Sequence, residues 1–209
     1  AEESIRSHGA VPSFMGYHGY PASICTSVND EVVHGIPGDR VLQDGDQISI
    51  DCGAILSGWH GDAAITVGVG DVDAASLELS RVTEEALWRG LAAAVAGVSV
   101  RDIGVAVESS VRSQPAGESY GIVEEYVGHG IGTSMHMEPN VPNYDHGGKS
   151  PQLVFADAGA RRRDALVERD QPLVLVARAF VRQLAARGFG FDFLRGLVEA
   201  GRRVAFTHG

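Results

Sequence analysis

Asp51 and Asp62 stand eleven positions apart in the stretch QISIDCGAILSGWHGDAAIT, residues 47–66. Ile48, Ile50, Cys52 and Ala54 alternate with Ser49, Asp51 and Gly53, the period of a two-faced strand. Residues 63–69 have the composition of a second strand, and Ser57-Gly58 supplies a turn between the two. Folded as a hairpin, the segment turns its two carboxylates toward each other, and facing carboxylates repel unless a proton or a cation lies between them. A divalent metal ion is the usual resolution, because hard oxygen ligands suit a hard cation. The bland alternative is a pair of solvated charges at a turn or sheet edge, the commoner fate of Asp.

Three histidines could join this pair. His34 precedes Gly35 and lies near Pro37, so it belongs to a loop or turn. His129 is bracketed by Gly128 and Gly130, which gives the ring access and the backbone freedom. His136 follows seven residues later. Neither spacing is the i, i+4 pattern of a helical zinc site, so any ligands here come from loops or strands. Taken singly, each His is an ordinary hydrogen-bonding side chain. Two Asp and several His on strands and Gly-rich loops together point to a metal hydrolase site.

The elements around these residues follow from pattern. Residues 13–21, SFMGYHGYP, form a Gly- and aromatic-rich loop, and 23–28, SICTSV, a short strand. Asp44-Gly45 turns the chain into the hairpin. Residues 73–96 carry Leu77, Val82, Ala86, Leu87, Leu91 and Val95 at helical spacing, with Gly97 as the stop signal. Ser99 and Asp102 open a second helix with a capping pattern, and Pro115 lies beyond its end. Residues 120–127 are a strand candidate.

Composition bounds the rest. At 209 residues and 44% apolar side chains, the chain has enough apolar content for a real core. No apolar run spans a membrane, and AEESIRSHGA is not a signal peptide but looks like the cut end of a helix. Two Cys without close spacing argue against a disulfide framework and for a reducing cytoplasm. A net charge of −10 argues against a specific nucleic-acid partner. The charge is uneven. Residues 1–154 carry 7 basic and 21 acidic side chains, whereas 155–209 carry 10 Arg and 6 acidic groups, which marks a composition boundary at Phe155.

Three motifs then converge. YHGYPASICTSVNDEVVHGIP, ISIDCGAILSGWHGDAA and GHGIGTSMHMEPNVPNY resemble type I methionine aminopeptidase, in order and with natural spacing, from about Ala1 to Lys149. The resemblance implies an α/β (α+β) pita-bread fold, a curved antiparallel sheet backed by helices, here incomplete at the C-terminus. It implies removal of the initiator methionine from nascent proteins in the cytoplasm, by water activated on up to two divalent ions (Mn, Fe, Co or Zn). Position by position, Asp51 matches a bidentate metal carboxylate, Asp62 the carboxylate that bridges two ions, and His129 an imidazole ligand. His34 and His136 match catalytic, substrate-contacting histidines that do not bind metal. Tyr17 and Cys25 match positions lining the pocket for the methionine side chain. The partners implied are nascent polypeptide N-termini, with the ribosome a further candidate and no membrane.

The C-terminal part departs from that pattern. The family completes its ligand set with two Glu, one in Ala-x-Glu-Pro and one before His-Thr, and neither motif occurs here. Glu168 and Glu199 are the only Glu after Phe155, and neither sits in such a segment. The expected division is therefore a pita-bread domain over 1–154 and an Arg-rich tail over 155–209. Losing two carboxylates predicts impaired activity. Three readings follow: an aminopeptidase with other ligands in the tail, a non-catalytic binder of nascent N-termini or ribosomes, or an inactive frameshifted product. The last has one specific support. Codons compatible with residues 160–167 can be read one base later as Leu-Ala-Val-Glu-Thr-Pro-Trp, close to the missing Ala-x-Glu-Pro apart from an extra Thr.

Overall fold

The computed structural model describes residues 1–154, and the expectations about the tail from Phe155 onward lie outside them. The central hairpin pairs β3 (Gln47–Leu56) with β4 (Trp59–Gly68) in unbroken antiparallel register, from Gln47↔Gly68 to Leu56↔Trp59. Ser57 (φ 53) and Gly58 (φ 83) both take positive φ at its tip, the conformation a two-residue hairpin turn requires. That tight turn lets pairing begin at Trp59, four residues earlier than the composition of 63–69 indicated.

On its other edge β3 pairs with β1 (Val11–Pro12) and with β2 (Ile24–Val28), both antiparallel. Alternation sorts the side chains of this sheet. Ala54, Cys52 and Leu56 pack with Ile5, from α1 (Glu2–Ser7), and with Ala10. Odd-numbered β3 residues, Asp51 among them, point to the opposite face.

Two helices form a second unit. α2 (Ala74–Ala93) starts at Asp73, whose carboxylate accepts from the Ala75 and Ser76 backbone N–H groups at 3.0 Å. α3 (Val100–Arg112) starts at Ser99, whose N–H is capped by the Asp102 carboxylate at 2.8 Å. Val82 and Ala86 of α2 bury against Val111 of α3. The helices meet closely because Gly90 has no side chain: a Cβ there would lie 2.7 Å from Val107 Cγ2. The other side of α3 buries Val100 and Ile103 against Val141 of β6 (Met137–Val141). β6 in turn pairs with β5 (Gly128–Gly130) as a separate two-stranded sheet.

One expected element moves. Residues 120–127 are not a strand; pairing starts at Gly128. Glu124, Glu125 and Tyr126 are all exposed, so the segment lacks the alternation in burial that a half-buried strand needs.

Candidate metal and imidazole site

Register decides how the two carboxylates relate. Asp51 sits opposite Ala64, and Asp62 sits opposite Gly53. The two Asp are therefore diagonal neighbours on one face of the hairpin, where Cα atoms lie roughly 7–8 Å apart and side chains still reach each other. Both are buried, Asp62 to 1% exposure. On the neighbouring strand Cys25 sits opposite Asp51, on the same face and also buried. Gly53 leaves room above this face for Phe14, since a Cβ at Gly53 would come within 2.5 Å of Phe14 Cε1. Burial, then the charges of Asp51 and Asp62, push the adjacent Cys52 thiol up to about 11.

The imidazoles come from the other sheet. His129, on β5, is buried, and its Nδ1–H donates to the Gly130 carbonyl at 2.8 Å. In the neutral ring that bond leaves the lone pair on Nε2, the tautomer a metal-ligating histidine uses. His136 lies just before β6, and its ring lies tilted against that of His129 with centroids 4.3 Å apart. Tyr17 Oη lies 2.9 Å from His136 Nδ1. His34 is exposed on the loop after β2, with its ring 6.5 Å from that of Tyr126. His34, His129 and His136 line one pocket of about 390 Å³, together with Glu125, Tyr126 and Glu138.

Two contacts join this pocket to the carboxylate face. Met135, next to His136, buries against Phe14 and Cys25. The His60 N–H, on β4, donates to the Gly132 carbonyl at 2.8 Å. Asp51 and Asp62 themselves are absent from the pocket wall. Among the described residues no three His, Cys, Asp or Glu side chains form a ready cation cluster. In chemistry the donors fit a divalent ion, since two buried carboxylates supply hard oxygens and His129 a borderline nitrogen.

Pattern reading of the sequence missed the hydrogen bond between Tyr17 and His136, residues 119 positions apart. It also missed Met135 as the anchor of the histidine loop. The GYHGY stretch signals only a loop, and Met135 and Met137 stand among polar residues in TSMHME with nothing to tell which of them is buried, so neither stretch carried a usable sign.

Comparison with known proteins gives the class, a metallopeptidase of the pita-bread fold. The chain belongs to metallopeptidase family M24, which it matches over residues 1–161, past the composition boundary at Phe155. Within that family it is similar to methionine aminopeptidases. It is 55% identical to methionine aminopeptidase 1 of Mycobacterium tuberculosis (strain CDC 1551 / Oshkosh) over 157 residues, covering 74% of this chain and 59% of that protein. It is 43% identical to methionine aminopeptidase 1 of Bacillus subtilis (strain 168) over 185 residues, covering 88% of this chain and 69% of that one. The crystal structure of methionine aminopeptidase from Rickettsia prowazekii superposes with a TM-score of 0.68 at 39% identity, over 73% of this chain and 60% of that one. The chain thus spans about three fifths of the length of the M. tuberculosis relative. No helix among the described residues is long and apolar enough to cross a membrane.

Proposed function

We propose that this chain removes the N-terminal methionine from nascent polypeptides in the cytoplasm, at a rate limited by an incomplete ligand set. The observation that carries the reading is the burial of Asp51 and Asp62 on one face of a fully registered hairpin, tied through Met135 and Gly132 to the His129–His136 pair. The similarity to methionine aminopeptidases favours it over a non-catalytic binder.

Asp51, Asp62 and His129 would hold a divalent ion, Mn, Fe, Co or Zn. When bound, that ion supplies Lewis acidity and an activated water. The remaining work falls to the chain. Buried carboxylates close to a polypeptide's free α-amino group attract it electrostatically, which restricts cleavage to the first residue. His136 donates a hydrogen bond toward the charge that develops on the scissile carbonyl. His34, across the pocket, contacts the same region of substrate. Tyr17 and Cys25 border the methionine side chain. Asp51 and Asp62 provide −2 of ligand charge, which poorly neutralises two divalent ions in a partly dehydrated site.

The test is methionine release from a Met-Ala-Ser peptide with added Mn²⁺ or Co²⁺. Cation-dependent release slower than about 1 per second, the lower edge of common enzyme rates, is expected, and Asp62→Asn should remove it. Release that needs no cation, or that survives Asp62→Asn, overturns the reading.

A further inference from the structure

The segment from Ser13 to Tyr20 is built with more care than a pocket wall requires. Gly16 (φ 80), His18 (φ 47) and Gly19 (φ 81) all adopt left-handed backbone within four residues. At His18 that conformation is strained, and strain of this kind persists only where surrounding structure enforces it. The enforcing contacts are present. Gly16 N–H donates to the Tyr20 carbonyl at 2.8 Å, and Tyr17 N–H to the Phe14 carbonyl at 2.9 Å. Phe14 is buried on the carboxylate face against Cys25 and Met135. Tyr20 Oη donates to the Gly35 carbonyl at 2.7 Å, which ties the loop to the segment carrying His34. The His18 ring packs edge-on to Tyr17, with centroids 4.4 Å apart. Between these fixed points the turn delivers one group, the Tyr17 hydroxyl, to His136 Nδ1 at 2.9 Å.

We infer that Tyr17 is a positioning residue, whose hydroxyl donates to His136 Nδ1 and so holds His136 as the Nε2–H tautomer that donates to substrate. The direction of the bond follows from acidity. A phenol is a far stronger acid than a neutral imidazole N–H, and the bare imidazole nitrogen is a better acceptor than a phenol oxygen. With Nδ1 accepting, the ring's proton sits on Nε2. The His129 ring, tilted against it with centroids 4.3 Å apart, restricts rotation of the same side chain. Two neighbouring histidines are thus set in complementary states. His129 donates through Nδ1 and presents a lone pair on Nε2, whereas His136 accepts at Nδ1 and presents a proton on Nε2. One state suits a metal, the other an oxygen that gains negative charge.

This inference rests on the aminopeptidase reading for its catalytic meaning, but the tautomer can be measured without turnover. The variant is Tyr17→Phe, which keeps the ring as pocket wall and removes only the hydroxyl. Two-bond ¹H–¹⁵N correlation spectra of ¹⁵N-histidine-labelled full chain, without added metal, should show His136 as the Nε2–H form. In Tyr17→Phe the same ring should shift toward a mixture of tautomers, with His129 unchanged. In the peptide assay kcat should fall about tenfold to a hundredfold, the range typical of losing a partner that orients a site imidazole, while KM changes less than about twofold. A His136 spectrum that is the same in both proteins overturns the inference, as does Tyr17→Phe raising KM with kcat unchanged. A wild-type chain without methionine release overturns the functional reading, and the spectra then still decide the hydrogen bond.

Discussion

The two hairpins that carry the candidate site are built in opposite ways. β3 and β4 pair over ten consecutive positions with no irregularity, so the placement of Asp51 relative to Asp62 is fixed by one local turn. β5 and β6 pair at only three positions, with a register shift between His129 and Gly130. Gly130 is needed there because a Cβ would approach the Glu138 carbonyl oxygen to 2.5 Å. A short, shifted ladder cannot position two imidazoles by itself. They are held from outside, by Met135 on the carboxylate face, by His60 N–H on Gly132 and by Val141 under α3. The carboxylate half is locally encoded, and the imidazole half depends on distant packing.

Disturbing the carboxylate half should have the largest effect on chemistry and a small one on folding. Asp62→Asn removes a charge that holds cations, worth several kcal/mol of transition-state stabilisation, or about a 10³-fold loss of peptide turnover. Without metal the same variant relieves repulsion between two buried carboxylates, so its Tm should rise by a few degrees. A lower Tm in metal-free buffer would show that the carboxylates are not in mutual repulsion.

The imidazole half should respond in the reverse manner. Met135→Ala leaves a cavity under the loop and is expected to cost about 2–5 kcal/mol in urea unfolding. It should also release the His136 ring from its fixed setting, visible as narrowed, averaged histidine signals. A loss below about 1 kcal/mol, at the low end for core truncations, would mean the histidine loop stands on its own ladder.

Gly53→Ala probes the seam between the halves. The added methyl group meets Phe14 Cε1 and Ser13 Cβ, so overpacking should cost about 1–3 kcal/mol in the same unfolding assay. Phe14→Leu in the Gly53→Ala background should recover part of the loss if Phe14 is the obstacle.

The smallest effect belongs to a surface pair far from the seam. Arg101 donates two guanidinium N–H bonds to Asp145 and holds its carboxyl down at about 2, from an ordinary 3.8. The folded value lies below the unfolded one, so this contribution is complete above the ordinary value and is lost as pH falls through about 2. Arg101→Met should lower the neutral-pH Tm slightly and flatten its decline with acid, so that variant and wild type converge as pH falls toward about 2. An unaltered acid profile would remove the pair from any account of acid stability.

Residue types alone determined the carboxylate hairpin. Alternation in 48–54 set the faces, Ser57-Gly58 set the turn, and together they fixed a register that no distant contact had to correct. The cap at Ser99 was equally legible, since a cap is an interaction within one turn of chain. Matching motifs also drew attention to Asp51, Asp62, His34, His129 and His136 as a group. Tertiary structure alone decided that 120–127 stays irregular and pairing starts at Gly128, because strand formation there depends on a neighbour and not on composition. It alone brought the Tyr17 hydroxyl to His136 and Met135 to Cys25, across separations that leave no periodic trace in the chain. Local hydrogen bonding and alternation are written within a few residues of themselves. The orientation of an imidazole is written in whatever the fold sets beside it.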